Sequence, residues 1–351
     1  AVIELEHSGH RLYFATLLAN RLAQDGVDCV LVTSPESLES REGREYFSYL
    51  DKRVQIKLWL KSSGIKACTE VYASDDRWAI VLDGETLLYQ RSLPRVNSRR
   101  VICLLLHSPS LYPVQPAYSR PLKRALVARA EKSGFHILNL ASPSVVLRDR
   151  PNTTADPSPF ALLSPPQPES SCYPLDPNFF WIGLFGGLSQ RKGARLLIEA
   201  ILQSERIDLA LLFVGLWRDA ELKREVVHLS DKAGIVVEIH DQFVTTEELR
   251  SQVARVDLVA VLNRNEGSSG ILLATCALQK SVVTSGSISL SRDAQALSVP
   301  WIAPTPEALA SYLRDFSSAS RRVANYRPAR DGQDFTEPFT RIIRSTARKA
   351  M

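Results

Sequence analysis

The apolar positions change period along the chain in a regular way. Residues 1–5 form a short apolar run suited to a strand. Phe14, Leu17, Leu18 and Leu22 then recur at helical spacing with Gly26 closing the helix, and 27–32 returns to strand character, so the chain opens as a βαβ unit. The runs 78–82 and 101–106 are continuously apolar and end in polar residues. That is the pattern of parallel strands buried on both faces, with a functional loop after their carboxyl ends.

Between 150 and 178 the periodicity disappears and prolines from Pro151 to Pro177 accumulate among Ser and Thr, which predicts an interdomain linker. Alternation then resumes, with strands over 179–184, 209–214, 235–239, 257–262 and 282–284 separated by helices over 194–203, 220–232, 245–253 and 269–279. Thr245 with Glu248 reads as a capping box, and Thr305 before Pro306 as the start of a further helix. The predicted organisation is a first doubly wound lobe over 1–150, a linker over 151–178, a second over 179–336, and a C-terminal helix over 337–351 that packs back on the first lobe.

A chain of 351 residues, 45% hydrophobic and 23% charged, agrees with two cores. The formal charge of +5 is spread among acids rather than gathered on one arm, which speaks against nucleic acid and for anionic ligands or lipid head groups. Five cysteines without a CxxC pair are neither a disulfide framework nor a zinc set, and imply a reducing compartment. No apolar run is long enough to span a bilayer, and the first residues lack the basic-then-apolar order of an export signal, so a cytoplasmic location is expected.

Neither lobe carries GxGxxG or a P-loop, so phosphate must be held in another way. The segment Leu184-Phe-Gly-Gly-Leu-Ser-Gln-Arg-Lys-Gly193 leaves a strand through Gly186 and Gly187 and enters a helix past Arg191 and Lys192. Small residues let the backbone approach a ligand, and the two cations can neutralise a diphosphate; a plain loop with two solvated cations has the same sequence. A second station, Asn265-Glu-Gly-Ser-Ser-Gly270, opens the predicted helix over 269–279. Free N–H groups there with the hydroxyls of Ser268 and Ser269 suit an anion, and Glu266 suits sugar hydroxyls; ordinary helix capping would also explain these residues.

In the first lobe, Gly9 and His10 follow the first strand, and Asp83 and His107 follow later ones. A His at a strand end is often just a satisfied polar residue. Asp75-Asp76 precedes a strand and reads as a turn, and no metal site is expected. Residues 120–132 place Arg120, Lys123, Arg124, Arg129 and Lys132 among Leu122, Leu126 and Val127, a basic amphipathic helix that is a candidate contact with anionic membrane. Such a helix more often packs its apolar stripe and solvates its charges.

Taken in order, Gly186 to Gly193, Val256-Asp257, Glu266-Gly267, the helix from Ile271 and Ser281-Val282-Val283 resemble the C-terminal lobe of family 4 retaining glycosyltransferases over about 179–305. The resemblance implies an α/β chain of GT-B type, two Rossmann-like doubly wound lobes with a cleft between them. It also implies transfer from a nucleoside diphosphate sugar to a glycan, lipid-linked or small-molecule acceptor, with retention and without a metal or other cofactor. By resemblance, Gly186, Gly187, Arg191, Lys192, Gly267, Ser268, Ser269 and Gly270 hold the donor, Glu266 and His107 orient its sugar, and Gly9, His10 and Asp83 face the acceptor. A cell-envelope or natural-product pathway is the implied setting.

Two positions depart from the family pattern: Gly187 stands where an Arg commonly holds the diphosphate, and Ala274 where a second Glu holds the ribose. Arg191 is the expected replacement for the first, and Ser268 or Thr275 for the second. A GT-B-like partner subunit that has lost donor binding is the alternative. A periplasmic-type binding protein and a two-lobe dehydrogenase fit less well, for want of an export signal and of a glycine fingerprint respectively.

Overall fold

The computed structural model describes residues 1–6, 10–73, 77–96, 98–106, 119–141, 152–162, 174–316 and 331–350. Contacts divide the chain into two units, Ala1–Pro157 with Ala329–Met351, and Ser158–Pro328.

The first unit runs β1 (Val2–Glu4), α1 (His10–Gln24), β2 (Val30–Thr33), α2 (Pro35–Glu39), α3 (Arg41–Phe47), β3 (Gln55–Leu58), α4 (Ile65–Tyr72), β4 (Ala79–Val81), α5 (Gly84–Leu88), β5 (Val101–Leu105), α6 (Ser119–Lys132), β6 (His136–Ala141) and β7 (Thr153–Ala155). Its strands pair in parallel in the order β3-β2-β1-β4-β5-β6-β7. Ile3, Val32, Val81, Cys103 and Leu105 pack a core with Ile65, Leu87 and Phe135 from the flanking segments. The helices cross between parallel strands and cover the sheet, which is why the central strands read as unbroken apolar runs.

The second unit runs β8 (Phe180–Phe185), α7 (Ala194–Ser204), β9 (Leu209–Val214), α8 (Ala220–Ala233), β10 (Val236–His240), α9 (Thr246–Arg255), β11 (Leu258–Val261), α10 (Gly270–Ala277), β12 (Ser281–Ser285), α11 (Ile288–Leu297), β13 (Trp301–Ile302) and α12 (Pro306–Asp315). The order is β10-β9-β8-β11-β12-β13, again parallel throughout. One core lies on each face, around Leu197, Phe213 and Leu309 on one side and Phe185, Val259 and Leu273 on the other. The capping box of Thr245 and Glu248 and the cap at Thr305 form as the sequence predicts.

α13 (Asp331–Ala350) belongs to the first unit. Phe335 and Phe339 are fully buried, and the Phe335 ring centroid lies 5.1 Å from that of Phe14. Thr154 Oγ1 donates to the Phe335 carbonyl. Two boundaries differ from the sequence reading. The segment counted as the start of the linker contributes β7, and α13 begins at 331 rather than 337. A three-residue edge strand beside Pro151 and Pro157 has no period to read, and the first turn of α13 carries Asp and Gly where a helical stripe is sought.

Candidate functional site

Doubly wound parallel sheets place ligands beyond the carboxyl ends of the strands, where the strand order reverses. In the second unit that point lies between β8 and β11, and the two glycine-containing stations of the sequence leave these two strands. Gly186 takes φ +102°, open to glycine at little cost, and the Cβ it lacks would stand 3.9 Å from Ile271 at the start of α10. Gly193 closes the loop with φ +77°; a Cβ there would lie 2.6 Å from Leu262 Cβ, so only glycine lets the loop press against the end of β11. Arg264 N donates to the Arg191 carbonyl at 3.0 Å, which ties the loop after β11 to the cationic loop after β8. Residues 73 apart in sequence thus meet at one end of the sheet.

Arg191 is exposed on this loop and Lys192 is half-buried. Burial, with a smaller contribution from Arg191, holds the Lys192 ammonium below the usual lysine range. Among the described residues no carboxylate partners it. Burying an ammonium without a counter-ion is costly, and an anion beside it relieves that cost.

At the start of α10, Ser269 is the N-cap, its Oγ accepting from Leu272 N at 3.4 Å and from Asn263 Nδ2 at 3.2 Å. The N–H groups of Gly270 and Ile271 have no acceptor within the helix and point out of its first turn. Gly267, with φ +131°, donates its N–H to Ser289 Oγ at 2.9 Å, and Ser268 is half-buried beside it. Glu266 reaches the start of α11, where its carboxylate accepts from Ile288 N at 3.2 Å and Ser289 N at 2.9 Å. Those bonds use two of about four acceptor positions on a carboxylate, so Glu266 both anchors the turn and keeps capacity for a hydroxyl donor.

Thr275 is fully buried and its hydroxyl donates to the Ile271 carbonyl at 2.7 Å, so it is spent inside the helix and does not stand in for a ribose-binding side chain. Ala274 is fully buried as well.

In the first unit the strand order reverses between β1 and β4. Gly9 and His107 lie outside the described residues, as do Asp75 and Asp76, and His10 is the first residue of α1. Asp83 follows β4, caps α5 by accepting from Thr86 N at 3.2 Å, and pairs with Arg11 at 2.8 Å. Glu4 ends β1, fully buried, with Arg11 3.6 Å away and Glu6 N donating to it at 2.8 Å. Burial outweighs the attraction of Arg11 and pushes the Glu4 carboxyl up to about 7.

In α6, Lys123 is buried against Glu85 at 3.4 Å, and Arg129 donates to the Leu88 and Gln90 carbonyls at 3.1 and 3.2 Å. Arg124 and Lys132 remain exposed, so part of the basic character read as a membrane face serves the packing of α5 and α6. Among the described residues no helix is long and apolar enough to cross a membrane. Cys29, Cys68, Cys103 and Cys276 are free and buried, their thiols pushed up to about 11 or 12 by burial, which leaves them unreactive.

Sequence reasoning missed Glu4, Arg11, Asn263 and Ser289. Glu4 is the one with a readable signal, an acid closing an apolar strand. Arg11 and Ser289 act through Asp83 and Gly267, distant in sequence, and Asn263 through Ser269 across a turn that has no period to read.

No family model and no curated protein sequence matches the chain. Solved structures do. The Anabaena protein Alr3699/HepE in complex with UDP-glucose aligns over 99% of this chain and 98% of its own, with a TM-score of 0.64 at 13% identity. WaaG, a glycosyltransferase of lipopolysaccharide biosynthesis, aligns over 97% and 98%, with a TM-score of 0.59 at 13% identity. Sucrose-phosphate synthase from Thermosynechococcus elongatus aligns over 97% and 94%, with a TM-score of 0.61 at 14% identity. At such identities the likeness is one of fold: two Rossmann-like doubly wound lobes of the GT-B type seen in glycosyltransferases.

Proposed function

We propose that the chain is a glycosyltransferase that takes its sugar from a nucleoside diphosphate sugar, with the diphosphate held by the second unit. The observation that carries this reading is Lys192, a half-buried ammonium with no carboxylate partner among the described residues. It sits on a glycine loop tied to the turn that opens α10. The difficult step in glycosyl transfer from such donors is departure of the diphosphate. Lys192, Arg191 and the N–H groups at the start of α10 are arranged to stabilise that growing negative charge. In this reading charge stabilisation needs no metal, and transfer proceeds with retention, the departing phosphate accepting the acceptor proton on the same face. Glu266 and His107 orient the donor sugar. The acceptor is a glycan, a lipid-linked glycan or a small molecule, met by Gly9, His10 and Asp83 of the first unit. Exposed Arg124 and Lys132 support peripheral contact with an anionic membrane, and the protein works in the cytoplasm.

The test is a calorimetric and thermal-shift series with UDP, GDP, dTDP and ADP, UDP first because HepE is solved in complex with UDP-glucose. At 100 times its Kd one nucleotide stabilises the fold by about 2.7 kcal/mol, and Lys192→Ala removes the shift. If a folded sample shows no shift with any of the four, the chain is an inert GT-B-like partner subunit.

A further inference from the structure

The β9–α8 loop adds a cation that neither the glycine loop nor the start of α10 supplies. β9 ends at Val214, and Gly215, with φ +131°, brings the chain so close to Gly186 that a Cβ would stand 2.0 Å from the Gly186 carbonyl oxygen. Leu188 N donates to the Leu216 carbonyl at 2.8 Å and Arg218 N to the Leu188 carbonyl at 3.0 Å, around a parallel bridge of Leu188 with Trp217. The register of β8 and β9 is thereby carried past the ends of both strands. These backbone hydrogen bonds set the main chain of Arg218 beside the glycine loop, where its side chain is exposed.

The Arg218 side chain lies along Gly187. Its Nε is 3.3 Å, its Cζ 3.8 Å and its Cδ 4.0 Å from the point where a Cβ on Gly187 would stand, the three nearest atoms among the described residues outside the adjoining two. Gly187 is not among the positive-φ glycines, so the backbone itself accepts any residue there. With glycine at 187 the guanidinium lies against the loop without displacement, where a Cβ would press on Nε at 3.3 Å. Two carboxylates of the neighbouring loops are engaged elsewhere: Asp219 caps α8 at Leu222 N, and Asp241 accepts from Trp217 N and pairs with Lys223 at 2.8 Å. Among the described residues the Arg218 guanidinium has no hydrogen-bond or ion-pair partner. Its planar fork of donors suits phosphate oxygens better than a point charge does.

We infer that Arg218 is a phosphate-binding residue of the donor site, its guanidinium lying over Gly187 to take an oxygen of the diphosphate while Lys192 and the start of α10 hold the rest. This rests on the proposed glycosyltransferase reading for the identity of the ligand, but not for the presence of an anion site. Removing a side chain whose guanidinium has no protein partner among the described residues leaves the ligand-free melting temperature unchanged.

The experiment is titration calorimetry of the full chain with UDP, UMP and inorganic pyrophosphate, on wild type, Arg218→Ala, Arg218→Lys and the exchange Gly187→Arg with Arg218→Ala. Arg218→Ala is expected to weaken UDP roughly tenfold to a hundredfold, the range of one charge-assisted hydrogen bond, and UMP much less. Arg218→Lys recovers part of the loss, and the exchange, which moves the cation to the other side of the same space, recovers at least as much. Equal affinity of wild type and Arg218→Ala for UDP overturns the inference and leaves the glycosyltransferase reading standing. If UDP binds neither protein, pyrophosphate decides: binding by wild type that Arg218→Ala weakens supports an anion site at Arg218. Equal binding by the two, or none, overturns it.

Discussion

At the scale of single residues, Lys192 and Arg218 of the proposed site have no carboxylate partner among the described residues. Lys192 is held below the lysine range by burial, so at neutral pH the folded state disfavours a proton that the unfolded state keeps. Stability therefore rises as pH climbs from the folded toward the unfolded pKa. Lys192→Met is expected to raise the melting temperature of the ligand-free protein at pH 7 while abolishing nucleotide binding; a lower melting temperature would mean that the ammonium has a stabilising partner.

Glu4 has the opposite sign of linkage. Its carboxyl is raised to about 7, so the folded state holds the proton more tightly, and the associated stability is complete below the unfolded pKa and lost as pH rises through 7. Relative to Glu4→Gln, the wild type is expected to lose on the order of 3 kcal/mol between pH 4 and pH 8 by urea unfolding. Parallel curves for the two proteins would show that Arg11 already compensates the charge. Glu266 gives a third measurement: Glu266→Ala leaves the Ile288 and Ser289 amides without their acceptor and costs about 1 kcal/mol. Glu266→Gln, which keeps one acceptor oxygen, costs less.

At the scale of elements, the site is a set of strand-end loops pinned to one another by glycines. Gly215 meets the Gly186 carbonyl, Gly193 meets Leu262, and Gly286 meets the Asn263 carbonyl, where a Cβ would stand 2.1 Å away. Each contact joins the loops of two neighbouring strands, so the loops after β8, β9, β11 and β12 behave as one assembly. Gly215→Ala combines a forced left-handed φ with a backbone collision, and is expected to cost roughly 2–4 kcal/mol. It should also weaken UDP binding, because it separates Arg218 from Gly187. Full UDP affinity in a destabilised Gly215→Ala protein would show that the two loops act independently.

At the scale of the molecule, the first unit is closed by a helix that arrives from the far end of the chain. Phe335 and Phe339 are fully buried, with Phe335 packed on Phe14, so β7 and α1 rest on residues some 180 and 320 positions away. Phe335→Ala is expected to cost roughly 3–5 kcal/mol. Scanning calorimetry should show it lowering the transition of Ala1–Pro157 with α13 while that of Ser158–Pro328 stays in place. A fragment over 158–328 is expected to fold alone, whereas one over 1–157 lacks the α13 face. Equal displacement of both transitions by Phe335→Ala would show that the units melt together.

The two doubly wound lobes were legible from the chain's pattern alone, because continuous apolar runs alternating with amphipathic stretches have few other solutions. The pattern also located the loops from Gly186 to Gly193 and from Asn265 to Gly270, because glycine, hydroxyl and cationic residues cluster there after strands. It left β7 unread and α13 six residues short, where the pattern is too brief or too polar to carry a period. The tasks of individual side chains emerged from the packing of distant segments. Glu266 turned out to hold the start of α11, Thr275 to be spent within α10, and Lys123 and Arg129 to be used in packing. Arg218 came to lie over Gly187 through a register extended beyond two strands. Local period reports which face of a segment is buried; the partner of a charge depends on which distant loops the sheet brings to the same edge, and one sequence does not encode that in any local pattern.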